Sequence, residues 1–186
     1  MLFQFPQATL ESGLTYELYR SRVELNGEVL DEAFRAPEFR RDDLRLLRLL
    51  PPLTVVVLAE DWCPDVVHTL PTWARLTEAL EGWDLKVFPA SEHEDLMANF
   101  LFRSRAKRVP VYAFYDDRRV LQTWWSGRGR EAEEALQEYL QGRPYGALRG
   151  EEKEALSVEF NRRYQERFRR QNFLEILAQL RAFFHL

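Results

Sequence analysis

Thr54-Val55-Val56-Val57-Leu58-Ala59-Glu60-Asp61-Trp62-Cys63-Pro64-Asp65-Val66 sets the reading of the whole chain. Its first six residues form an unbroken, largely β-branched apolar run, the pattern of a strand buried on both faces. A short acidic turn, Glu60-Asp61, follows. Proline is tolerated at a helix's first position, where no backbone N–H is needed, so Pro64 marks a helix start. The helix is predicted to run to Leu80, bearing Val67, Leu70, Ala74 and Leu76, and to end at Gly82. Cys63 therefore lies at a helix N-terminus. Unpaired N–H groups and the positive end of the helix dipole there favour thiolate, the nucleophile of disulfide exchange.

Downstream, Leu85 to Phe88 reads as a strand, Glu92 to Phe102 as a helix and Val109 to Tyr115 as a strand. Asp116-Asp117 makes a turn into a paired strand, Val120 to Trp125, and Glu131 to Leu140 is a helix. The order is β-α-β-α-β-β-α. Pro110 opens an otherwise strong strand, and its missing N–H suits a strand start. A cis Val109–Pro110 bond fits this context.

Upstream, residues 1–50 read as helical. One helix is capped by Ser12, carries Leu14, Leu18 and Val23, and stops at Asn26-Gly27. Glu28 to Arg35 forms a second, and a third starts near Asp42-Asp43. Residues 150–186 form one long helix or two shorter ones. Phe160, Tyr164, Phe168, Leu174, Leu177 and Leu180 lie largely on one stripe, which either covers the sheet or the N-terminal helices or makes a homodimer contact. The first is the commoner fate of such a face.

The chain has 186 residues, 46% hydrophobic and 30% charged, with a net charge of −4. That length predicts a single domain over 1–186: a core over 53–142 with helical extensions over 1–50 and 150–186. The acidic balance gives no reason to expect nucleic-acid binding. No run approaches the ~20 apolar residues of a membrane span, and Met1-Leu2-Phe3-Gln4-Phe5-Pro6 lacks signal-peptide character. A single cysteine forms no internal disulfide, so a cytoplasmic location is expected. One Cys and three scattered His give no metal-ligand spacing, and no cofactor motif is present.

A strand, then Trp62-Cys63 at a helix start, then a hydrophobic-Pro-hydrophobic strand start forty-odd residues later, resembles the thioredoxin family. The resemblance covers about Leu53 to Gly142. Glu60-Asp61-Trp62-Cys63-Pro64-Asp65, together with Thr69-Leu70-Pro71 and the helical ends, is similar to a sparsely characterised bacterial branch with a Glu-Asp-Trp-Cys-x-Asp turn. It implies an α/β thioredoxin-like fold: a central mixed β-sheet flanked by helices, with extra N- and C-terminal helices. It also implies a cis Pro110 packed beside the active-site sulfur. The chain departs from the family's Cys-x-x-Cys at Val66, so any exchange stops at a mixed disulfide until another thiol arrives.

The expected function is thiol–disulfide exchange through one cysteine, Cys63, with Asp65 tuning the thiol or relaying a proton. Trp62, Pro64, Val66, Val109 and Pro110 shape the groove. The partner is a protein disulfide or a low-molecular-weight thiol. The alternative is a binding or scaffolding module that holds a partner protein without redox turnover. Carboxylates at Glu60, Asp61 and Asp65 oppose the helix terminus in setting the thiol pKa, and no Lys or Arg is near in sequence. Glu60 and Asp61 read as a solvated turn, with a charged rim as the alternative. His68 reads as a surface or core-edge histidine, and Trp124-Trp125 as one buried and one exposed aromatic.

Overall fold

The computed structural model describes residues 4–100 and 108–186. Four short helices come first: α1 (Gln7–Glu11), α2 (Tyr16–Arg22), α3 (Gly27–Arg35) and α4 (Arg41–Leu47). Then follow β1 (Thr54–Ala59), α5 (Pro64–Ala79), β2 (Asp84–Pro89), α6 (Glu94–Ala98), β3 (Val111–Tyr115), β4 (Leu121–Ser126) and α7 (Arg130–Leu140). A 3-10 turn (Tyr145–Ala147) leads into α8 (Gly150–Arg163), a π-helical turn (Tyr164–Phe168) and α9 (Arg169–Phe184). The fold is thioredoxin-like, a mixed sheet between helical layers. The strand order is β2-β1-β3-β4, with β1 parallel to β2 and antiparallel to β3. No helix among the described residues is long and apolar enough to cross a membrane.

β1 shows why its sequence lacks alternation. Successive side chains point to opposite faces, and both faces are covered. Val55, Val57 and Ala59 pack with α5 and α9, through Val66, Leu70, Trp73, Phe173 and Ile176. Val56 and Leu58 face Phe5, Phe88, Leu96 and Met97. The fully buried Trp73 holds the α5–α9 layer together, with ring centroids 5.2 Å from Phe114 and 5.8 Å from Phe173.

Several boundaries differ from the sequence reading. Ser12 does not cap the long N-terminal helix: it ends α1, and the Thr15 hydroxyl accepts from the Leu18 N–H to cap α2. Gly13 bends the chain between them, and Leu14 pairs with Val87. β3 begins at Val111, because Val109 and Pro110 form a loop that reaches Cys63. The part of the expected second helix beyond Phe100 falls outside the described residues.

The C-terminal stripe is spent within the chain. Phe160, Tyr164 and Phe168 pack against Ala132, Leu136 and Leu140 of α7, while Leu177 and Leu180 join the main core. Leu174 faces outward instead. The π-helical turn supplies the change of phase: an inserted residue rotates the apolar face from α7 towards α5.

Candidate functional site

The turn before Cys63 is held by its own carboxylates. Asp61 Oδ2 accepts from the Glu24 and Leu25 N–H groups, both at 2.9 Å, and Asn26 Nδ2 donates to the Asp61 carbonyl at 2.9 Å. Glu60 Oε1 accepts from the Ser91 N–H at 2.5 Å. Both residues are half-buried in the turn and use their carboxylates on backbone N–H groups from distant segments. They tie the N-terminal helices and the segment after β2 to this loop, and thereby fix where α5 begins.

Cys63 is the N-cap of α5, with Pro64 at the first helical position. Its side chain points into the molecule and is 5% exposed. The S–H donates to the Val109 carbonyl at 3.5 Å, and Asp65 Oδ2 lies 4.0 Å from Sγ. The Val109–Pro110 bond is cis. Burial first, and the Asp65 carboxylate second, push the thiol pKa up to about 11. The N–H groups of Val66 and Asp65 and the guanidinium of Arg128 pull the other way and lose. At neutral pH the group is a thiol: the helix terminus is outweighed by desolvation and a neighbouring anion.

Asp65 is not a free carboxylate. It is 2% exposed and grips Arg128, with Arg128 Nε at 3.1 and 3.0 Å from its two oxygens and Nη2 at 2.8 Å. Burial raises the Asp65 pKa against the lowering pull of Arg128. At Arg128 burial disfavours the charge, but Asp65 more than offsets it and the net shift is upward. The guanidinium also lies 3.9 Å from Glu133 and 5.7 Å from the Phe160 ring centroid. The C-terminal helices thus back the same ion pair that touches the thiol.

Sequence spacing gave no sign of Arg128, 63 residues from Asp65. Its one signal is an arginine between two glycines, Gly127-Arg128-Gly129, at the β4–α7 turn. Gly127 has φ +85°, a conformation that favours glycine, and a β-carbon there would also meet the Arg108 side chain.

A groove of ≈ 590 Å³ opens over the thiol. Trp62, Cys63, Asp65 and Val109 form one side, and Leu136 of α7 with Arg143 of the following loop form the other. Trp62 is 59% exposed at the rim. Pro64 is half-buried, Pro110 is buried beneath the loop, and Val66 is fully buried in the core; none of the three lines the groove. His68 is a correction: it is 1% exposed, stacked on Tyr164 with centroids 4.7 Å apart, and bonded to Asn161 Oδ1 at 3.1 Å. Trp124 and Trp125 are both half-buried, each packed edge or tilted on a core ring, Phe100 and Tyr112 respectively.

Residues 17–140 match the family model described as Thioredoxin. The chain belongs to the thioredoxin family. As a thioredoxin-family protein it is also similar in fold to two solved structures. One is a protein of unknown function from Pseudomonas aeruginosa, 16% identical, with a TM-score of 0.64 over 93% of this chain and 95% of that one. The other is an HIV epitope-scaffold, 14% identical, with a TM-score of 0.62 over 96% of this chain and 99% of that one. Comparison with curated proteins gives no match.

Proposed function

We propose that this thioredoxin-family protein carries out thiol–disulfide exchange through Cys63 alone. The supporting observation is the placement of its sulfur at the base of an open groove, 3.5 Å from the carbonyl of the cis Val109–Pro110 segment. In the first step Cys63-SH and a disulfide RS–SR give Cys63-S–SR and RSH. The new S–S bond replaces the old one, and the Cys63 proton is balanced by the proton on the leaving thiol. No second cysteine exists to resolve the product, so an external thiol R′SH attacks, restoring Cys63-SH and releasing RS–SR′.

The resting site is latent. Its thiol is protonated, shielded and held by an acceptor, so exchange depends on a disulfide entering the groove and displacing the S–H···O contact. Asp65 tunes this state by raising the thiol pKa. The test is exchange between 2-hydroxyethyl disulfide and a small reduced thiol, with the single-turnover adduct followed by intact mass. Catalysed exchange that disappears in Cys63→Ser is expected. A folded chain that never forms the adduct overturns the proposal.

A second reading rests on the same shielding. A raised pKa and 5% exposure also suit a groove that binds a partner with Cys63 as a packed, inert wall residue. In that case ligand binding survives Cys63→Ala unchanged, and no exchange is seen.

A further inference from the structure

We infer that the groove over Cys63 selects a carboxylate-bearing low-molecular-weight disulfide or thiol in preference to a protein disulfide; this rests on the exchange reading above. Two independent features point there. The first is shape. The sulfur is 5% exposed at the base of a groove of ≈ 590 Å³, walled on the far side by α7 and the loop through Gly142, Arg143 and Pro144. That volume lies within the roughly 300–1,000 Å³ typical of small-ligand sites. A disulfide embedded in a protein surface has to bring flanking backbone past Trp62 and that wall, whereas a flexible small disulfide does not.

The second is charge. Among the described residues the groove's cations are Arg108, Arg128 and Arg143, and its anions are Asp65 and Glu133. Asp65 and Glu133 both face Arg128, so those three charges are largely committed to one another. Arg108 is exposed, makes no ion pair among the described residues, and lays its stem across Gly127 at the edge of the groove, directly before Val109. Arg143 pairs with Glu152 at 2.7 Å, but both side chains are more than two-fifths exposed. Such a surface pair is worth little and exchanges readily for another carboxylate. A ligand reaching Cys63 thus passes one guanidinium that has no ion pair among the described residues and one loosely paired one, while the two anions, Asp65 and Glu133, both lie against Arg128 and exceed its charge by one. Arginine forks match carboxylates bidentately, and apolar contact comes from Trp62, Leu136 and Leu140.

The test measures mixed-disulfide formation at Cys63 by intact mass with four probes at low ionic strength. These are 3,3′-dithiodipropionate (anionic), 2-hydroxyethyl disulfide (neutral), cystamine (cationic) and the disulfides of insulin. Each rate is divided by that of a short neutral cysteine peptide with the same probe. The normalised order expected is anionic over neutral over cationic, with about tenfold between the extremes, and insulin slowest. Rising salt should compress the spread, as screening of exposed charges requires. Arg108→Gln should bring the anionic-to-neutral ratio towards one, and Arg108→Glu should invert it. A wild-type ratio of one, a cationic preference, a ratio indifferent to Arg108, or insulin reacting fastest overturns the ligand class while leaving exchange intact. Failure of every probe with the folded chain overturns the exchange reading itself.

Discussion

Replacing Arg128 by Met removes the guanidinium while keeping most of its apolar stem. Asp65, 2% exposed, is then a buried carboxylate without a cation. The lost interaction comprises three N···O contacts between 2.8 and 3.1 Å. At an effective dielectric of about 20, charge centres about 4 Å apart attract by about 4 kcal/mol, in line with the ~3–5 kcal/mol cost of breaking a buried pair from one side. The cation–π contact to Phe160 adds about 0.5–1 kcal/mol. For a chain of this size, about 2–4 °C of Tm per kcal/mol places the loss from the pair at roughly 6–20 °C. Asp65→Asn should cost less, because Arg128 keeps Glu133 and Phe160 and its side chain is already 20% exposed. The double variant should recover most of the Arg128→Met loss. Urea denaturation of all four proteins at pH 7 measures this cycle. The Arg128→Met deficit should also shrink as pH falls. Burial already holds the Asp65 pKa above its unfolded value with Arg128 in place; losing the cation raises it further, so protonation relieves the variant's native state more than the wild type's at low pH and the deficit grows as pH rises. An Arg128→Met cost under about 1 kcal/mol, or a double variant as weak as the sum of the singles, would show that the buried pair is not coupled as described.

Three further outcomes are expected. The alkylation rate of Cys63 should climb with pH towards a midpoint near 11, well above the ~8.5 of a free cysteine, and Asp65→Asn should lower that midpoint; a wild-type midpoint below 8 contradicts the desolvation account. His68 has its pKa pushed down to about 4 by burial, below the unfolded ~6.5. Its contribution is present above pH 6.5 and lost as pH falls towards 4, at up to about 1.4 kcal/mol per unit, so His68→Gln should flatten the stability–pH curve over that window relative to wild type. Gly129→Ala places a β-carbon into the fully buried Asn172 side chain; a loss of about 1–3 kcal/mol in chemical denaturation is expected, and an unchanged midpoint would show that the α7–α9 contact has slack.

The sequence marked the core of this fold because its signals are local. β1 is an unbroken apolar run since both its faces are covered, and Cys63-Pro64 marks the start of α5 whatever surrounds it. The ends of α5 and α7 fall within a residue of their predicted positions for the same reason. What escaped notice depends on distant packing. Arg128 meets Asp65 across 63 residues, and no spacing rule links a strand-to-helix turn to a helix N-terminus. The sequence suggests an edge position for His68 because one helix face is ordinarily wet; here α5 is buried on every side from Asp65 to Ala74, and the C-terminal helices supply Tyr164 and Asn161 to cover it. The hydrogen bonds of Glu60 and Asp61 have no local signal, since the backbone N–H groups that they accept from belong to segments folded back from residues 24–25 and 91.

On the proposed reading, the fold presents Cys63 to disulfides entering the groove. The most direct test is the rate of mixed-disulfide formation with a small disulfide at pH 7, on the folded chain and on the chain unfolded in urea. With one cysteine in the sequence, any adduct lies on Cys63. The folded chain should react faster than passage through the unfolded state allows, saturate with disulfide concentration as a groove-bound step should, and release the adduct on adding thiol. An adduct that forms only as fast as the chain unfolds, with no saturation, contradicts that reading.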